Sequence, residues 1–136
     1  MIVLTYLLDT DICIYIAKQK AVAASARLAA LKPGSVGMSV ITYGELLFGA
    51  TKSTARQRAL DVIADLAKRI PVLELSSEAG LRYGEIRAQL ESRGTPIGAN
   101  DLWLAAHALA ENLILVTNNV AEFKRIKGLK IENWAK

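Results

Sequence analysis

Residues 6–15 read YLLDTDICIY, an apolar run that meets two aspartates, Asp9 and Asp11, and then turns apolar again. Three roles suit such a pair: capping a helix, serving as nucleophile and acid of a phosphatase, or ligating a divalent metal. The first half reads as a strand over residues 3–8, the second as a helix from about residue 10 to 20. A strand that passes straight into a helix is the opening unit of a parallel α/β sheet.

The same alternation continues along the chain. Residues 22–31 are Ala-rich and helix-favouring, and Pro33-Gly34 ends them. Residues 36–41 read as a second strand and 42–50 as the start of the next helix. Leu60, Ile63, Ala64, Ala67 and Ile70 fall at helical spacing within 54–70. Residues 72–75 form a short strand, and 77–93 a long amphipathic helix closed by Gly94. Residues 101–111 are helical, 113–117 a strand, 120–125 a short helix and 129–131 a last strand. The expectation is one α/β domain over residues 1–136, with a central parallel sheet of about four to five strands flanked by helices. Ligands of such sheets gather beyond the carboxyl ends of the strands, where the strand order reverses.

Composition narrows the class. The 136 residues are 52% hydrophobic and 22% charged, which suits a globular core. The apolar runs are too short to span a bilayer, and the amino-terminal residues carry no basic region or cleavage site, so no membrane role is expected. Cys13 is the only cysteine, which excludes an internal disulfide and fits a cytoplasmic protein. His107 is the only histidine, which argues against zinc. The net charge of +4 permits a polyanionic partner without proving one. Its basic residues cluster as Arg82, Arg87 and Arg93 along one helix and as Lys124, Arg125, Lys127 and Lys130 near the carboxyl end.

Polar residues collect at the strand ends. Asp9 and Asp11 follow the first strand, Glu45 lies one turn into the helix after the second, and Asp101 opens a later helix. Asn118 and Asn119 follow the strand 113–117, with Glu122 three residues on. Each has a local explanation as a cap: Thr42-x-x-Glu45 fits a capping box and Asn119-x-x-Glu122 resembles one. Capping alone needs no charge, however, and several carboxylates at one end of a sheet repel unless a cation offsets them. Hard carboxylate oxygens suit Mg²⁺ or Mn²⁺, the ions of metal-dependent phosphodiester hydrolysis.

YLLDTDICIY, ITYGELLFGA (41–50), IGANDLWLAAHA (97–108), ILVTNNVAEF (114–123) and GLKIENW (128–134), in this order, resemble the PIN-domain nucleases, specifically the VapC-type toxins of bacterial toxin–antitoxin pairs. The likeness covers nearly the whole chain. It implies a Mg²⁺-dependent endoribonuclease, with Mn²⁺ a substitute, in which Asp9 and Asp101 are the main metal ligands and Glu45 completes the acidic pocket and orients the attacking water. Asp11 falls where relatives often carry Asn and is given a supporting role through a local hydrogen bond. Many PIN domains carry an Asp where this chain has Asn119, which removes a charge and puts a second metal in doubt. Glu122 is a candidate substitute, and Thr117 is placed for a supporting hydrogen bond to a ligand. The resemblance further implies an RNA substrate such as a tRNA, a small VapB-like antitoxin partner, a homodimer, and operator DNA contacted only through the antitoxin.

Other readings remain open at this stage. Asp9-Thr10-Asp11 has the spacing of a haloacid-dehalogenase phosphatase, although VTNNVAEF lacks that family's late acidic pair. A catalytically inactive PIN-like module that binds RNA or protein is the non-enzymatic alternative. Cys13 and His107 read as structural, His107 as a surface or packing residue. Trp103 suits core or interface, Trp134 an anchor for the tail, and Leu46, Leu47 and Phe48 core or a partner groove.

Overall fold

The computed structural model describes residues 2–135. Its first strand, β1 (Tyr6–Leu8), passes into α1 (Thr10–Ala17) through Asp9 alone. Helix α2 (Val22–Ala30) leads to β2 (Val36–Ser39), which runs without a loop into α3 (Val40–Thr51). Then follow α4 (Arg56–Arg69), β3 (Val72–Leu73), α5 (Ser77–Ser92) and α6 (Ala99–Ala110). The chain continues through β4 (Ile114–Val116), α7 (Val120–Phe123) and β5 (Ile131–Glu132). Gly94 closes α5 in the left-handed region (φ +70), as its position in the sequence leads one to expect.

Five parallel strands lie in the order β3-β2-β1-β4-β5. The chain winds outward from β1 through β2 to β3, then crosses to β4 on the other side of β1, so the strand order reverses between β1 and β4. Leu8 pairs with Val116 in register, which brings the residues after both strands, Asp9 and Thr117, to the mouth of that crevice.

Strand alternation separates the core into two halves. Leu8 and Val116 pack with Ile12, Met38, Leu46, Ile63 and Leu66 on the face covered by α1 to α4. Leu7 and Leu115 pack with Ile86, Leu90, Leu104 and Phe123 on the face covered by α5 to α7. A strand buried on both faces has no polar alternation, which explains the continuous apolar run in YLL. Among the described residues no helix is long and apolar enough to cross a membrane.

Several local expectations are corrected. Ser39, not Thr42, caps α3, its Oγ accepting the Ile41 N–H at 3.1 Å. The Thr42–Glu45 capping box is therefore absent, because β2 delivers the chain into the helix three residues earlier. Helix α6 opens at Ala99 with Gly98 as its cap residue, so Asp101 lies inside the first turn and caps nothing. His107 is no surface residue; it is fully buried. Trp134 is buried and meets Tyr6 edge to face, with its indole N–H donating to Glu132, so it does anchor the tail.

A glycine limits how closely β2 and β3 can be varied. A Cβ at Gly37 would stand 2.7 Å from Leu73 Cδ1 and 2.8 Å from its Cγ. Gly37→Ala is expected to lower the unfolding free energy by about 1–3 kcal/mol through overpacking. Urea denaturation would read this as a lower midpoint at unchanged slope. An unchanged midpoint would mean that β3 yields freely.

Candidate active site

At the carboxyl end of β1, Asp9 is 5% exposed. Its Oδ1 accepts the Ile12 N–H at 2.9 Å and so caps α1, and its own N–H donates to the Val116 C=O at 2.9 Å. Burial pushes its pKa up to about 6. The Thr117 hydroxyl and the Ile12 N–H oppose that shift by favouring the ionised form, and the charges of Asp11 and Glu45 add to it. The cap is real, yet it accounts for only part of a carboxylate that Asn or Ser would replace without charge.

Glu45 reaches the same crevice from α3. Thr10 donates its hydroxyl hydrogen to Glu45 Oε1 at 2.6 Å and shares a second bond with the Thr42 hydroxyl at 3.1 Å. The Thr10 hydroxyl, 35 residues from Glu45 in sequence, pins the glutamate from one side, and Thr42 in turn holds that hydroxyl. Neither Thr10 nor Thr42 is among the site residues to which the sequence points. Only the threonine between the two aspartates could have suggested one of them.

From α6, half-buried Asp101 meets Glu122 of α7. Burial raises Asp101 to about 7, followed by a hydrogen-bond contact with Glu122 and the charges of Glu122, Asp9 and Glu45. Two carboxylates facing at hydrogen-bonding distance need a proton or a cation between them. Glu122 Oε1 is buried and has no hydrogen-bond partner. Asp9, Glu45, Asp101 and Glu122 thus feel one another across the crevice, and Glu122 brings a carboxylate where Asn119 supplies none.

The remaining sequence candidates lie differently. Thr117 is buried, against Asp9, and its Oγ1 accepts the Asn119 N–H at 2.9 Å. Asn119 is exposed, makes no side-chain hydrogen bond among the described residues, and meets Thr117 through its backbone N–H. Asp11 is exposed and, among the described residues, receives no hydrogen bond, so the local bond expected of it is not made and it reaches Asp9 only through its charge. Cys13 is buried, which raises its thiol pKa far above neutrality and leaves it inert. Trp103 stacks on Tyr83 with ring centroids 4.0 Å apart.

Among the described residues no three His, Cys, Asp or Glu side chains are drawn into a ready-made metal cage. The donor set is nonetheless all oxygen, contains an orphaned buried carboxylate oxygen, and carries like charges that raise the proton affinity of Asp9 and Asp101. That chemistry fits a hard divalent cation. Basic charge lies close by. Arg82 and Arg87 are paired with Glu78 and Glu91 on α5, whereas Lys124 and Arg125, just beyond Glu122, form no carboxylate pair among the described residues; Lys130 precedes β5 and reaches Asn112 ahead of β4, at the opposite end of the sheet from the acids.

The PIN domain family matches residues 6–129. A tRNA(fMet)-specific endonuclease VapC of Shigella flexneri is 41% identical over 132 residues, covering 97% of this chain and 99% of that protein. Ribonuclease VapC2 of Haemophilus influenzae is 40% identical, covering 96% and 98%. In a solved structure of VapBC-1 from nontypeable Haemophilus influenzae, a chain 41% identical superposes with a TM-score of 0.90, covering 97% of this chain and 99% of that one. In DNA-bound VapBC from Salmonella typhimurium the corresponding values are 40%, 0.92, 97% and 99%.

The raised acids make stability depend on pH with a defined sign. Between an unfolded value of 3.8 and a folded value of about 6, Asp9 binds more protons in the native state, so native stability falls as pH rises through that window. For Asp9 the loss amounts to about 3 kcal/mol. The metal-free protein should therefore lose thermal stability from its acid groups between pH 4 and 7, and Asp9→Asn should flatten that decline. Mn²⁺ should raise Tm more at pH 7.5 than at pH 5, where protons already occupy the acids. Equal shifts at both pH values would separate the metal from this cluster.

Proposed function

The chain belongs to the PIN-domain family, and on that premise we propose that it is the toxin of a type II toxin–antitoxin pair, a metal-dependent endoribonuclease. The observation that carries this reading is the meeting of Asp9, Glu45, Asp101 and Glu122 at the strand-order reversal, with Asp101 held at about 7. Identity near 40% over almost the full length to proteins named ribonuclease VapC supports the reaction. The phosphatase alternative is disfavoured, since Asp11 is exposed and, among the described residues, held by no hydrogen bond that would position it as the acid.

Asp9 and Asp101 are the ligands proposed for Mg²⁺, for which Mn²⁺ substitutes, with Glu45 and Glu122 completing the pocket. The bound ion would offset the clustered negative charge, favour ionisation of the attacking water and stabilise the leaving oxygen. Thr10 holds one Glu45 oxygen, which leaves the other free to accept a proton from that water. The water oxygen forms a new bond to phosphorus, the bond to the leaving ribose oxygen breaks, and that oxygen takes up a proton from solvent water, while the proton on Glu45 returns to solvent. Lys124 and Arg125, next along the chain from Glu122, contact the RNA backbone through its phosphates.

The tRNA(fMet) specificity named for the Shigella relative makes an initiator tRNA the proposed substrate. A single-stranded loop of that tRNA presents a phosphate free of the duplex, as a recessed site requires. The partner is a VapB-like antitoxin that covers the site, and operator DNA is contacted through it, a reading supported by the DNA-bound VapBC relative. The toxin works as a homodimer in the cytoplasm.

Cleavage of initiator and elongator tRNAs by the purified, partner-free chain, with Mg²⁺, Mn²⁺ or chelator, tests this directly. Discrete cuts should require the metal. Asp101→Asn should reduce them by at least about 100-fold, because it removes a charge from the proposed ligand set without disturbing a cap. Asp9→Asn should behave alike while keeping the bond to Ile12. A folded, metal-supplied protein that cuts none of these RNAs would overturn the proposal.

A further inference from the structure

On α6, six residues after Asp101, His107 is fully buried, and its Nδ1 lies 2.8 Å from Ser39 Oγ, also fully buried. Ser39 is the cap residue of α3 and stands six residues before Glu45. The two helices belong mainly to opposite faces of the sheet, and this bond joins them at its carboxyl end. Six residues are about 9 Å of helix, so both acids lie at the ends of similar arms that run from one buried pin. The arms leave the pin in opposite chain directions, forward along α3 and backward along α6.

A polar pair inside an apolar shell rarely adds stability over a well-packed apolar pair of the same volume. Here the cost is compounded, because His107 Nε2 has no hydrogen-bond partner. Burial keeps the imidazole neutral, which suits a hydrogen bond to a hydroxyl rather than an ion pair. What the pair supplies is direction, since a hydrogen bond fixes an angle that apolar contact leaves loose. A tilt of about 10° at a 9 Å arm moves its tip by about 1.6 Å, enough to spoil a metal-ligand geometry.

We propose that Ser39 and His107 are positioning residues that lock α3 to α6 and thereby set the separation of Glu45 and Asp101. The inference rests on the nuclease reading of the acidic cluster. Neither residue touches the substrate; each acts through the helix it holds.

The test uses His107→Leu, which keeps bulk and removes the bond, and His107→Asn, whose amide can stand where Nδ1 stands. Ser39→Ala and the Ser39→Ala/His107→Leu double variant complete the cycle. Two readouts are taken well below each variant's Tm. One is kcat and KM on initiator tRNA; the other is the Mn²⁺ concentration at the midpoint of thermal stabilisation, which needs no cleavage. His107→Leu and Ser39→Ala should each lower kcat about 10- to 100-fold with KM within about twofold, and raise the Mn²⁺ midpoint about 5-fold or more. The double variant should be no worse than either single, and His107→Asn should recover much of the loss. A purely structural role would lower Tm while leaving the Mn²⁺ midpoint and kcat at wild-type values, and that result overturns the proposal. So would additive effects in the double variant, or His107→Asn as impaired as His107→Leu. If the wild-type chain cuts no RNA, the nuclease reading fails, and the Mn²⁺ midpoints still decide the positioning role.

Discussion

The hydrogen bond from the Asp9 N–H to the Val116 C=O is the last rung between β1 and β4, and the site depends on where that rung ends. It stops the two strands at the same level, so that Asp9 and Thr117 emerge side by side where the strand order reverses. From that point Asp9 turns at once into α1 and caps it. Leu7 and Leu8, both without exposure, hold the strand from its two faces and leave the aspartate no route away from the crevice. A buried carboxylate in such a place resists ionisation; the bonds from Thr117 and the Ile12 N–H relieve it only in part, and the charged neighbours Asp11 and Glu45 add to the resistance.

The elements converging on Asp9 each add a different kind of control. Helix α3 brings Glu45 already tied to Thr10, so its direction is fixed from the α1 side. Helix α6 brings Asp101 from its first turn, where the helix dipole favours an anion, and α7 returns Glu122 against it. The first is ordered by hydroxyl bonds and the second by shared charge. Such a site is strained electrostatically and firm geometrically, the combination expected of one that awaits a cation.

Much of this could be read in the residues. Asp9, Glu45 and Asp101 stand at strand ends and helix starts, where alternation of apolar runs locates them without knowledge of the fold. Glu122 was legible only as a substitute for the acid missing at Asn119, and the structure brings it against Asp101. Thr42 and Glu45 misled because a capping box is a local pattern, and the start of α3 was decided by β2 ending at Ser39. The Thr10–Glu45 and Ser39–His107 bonds had no signature at all. Their partners lie 35 and 68 residues apart, and a hydroxyl paired at long range looks in sequence like any other serine or threonine.

The sheet's two outer strands, Val72–Leu73 and Ile131–Glu132, contain only two residues each. An edge that short presents almost no unpaired backbone on which another chain could lay down a strand. Aggregation by sheet extension is correspondingly suppressed, and any protein that docks on this one must recognise side chains on its helices and loops instead of continuing its backbone ladder. Specificity in such recognition can change by surface substitution alone, leaving the sheet and the acids behind it untouched.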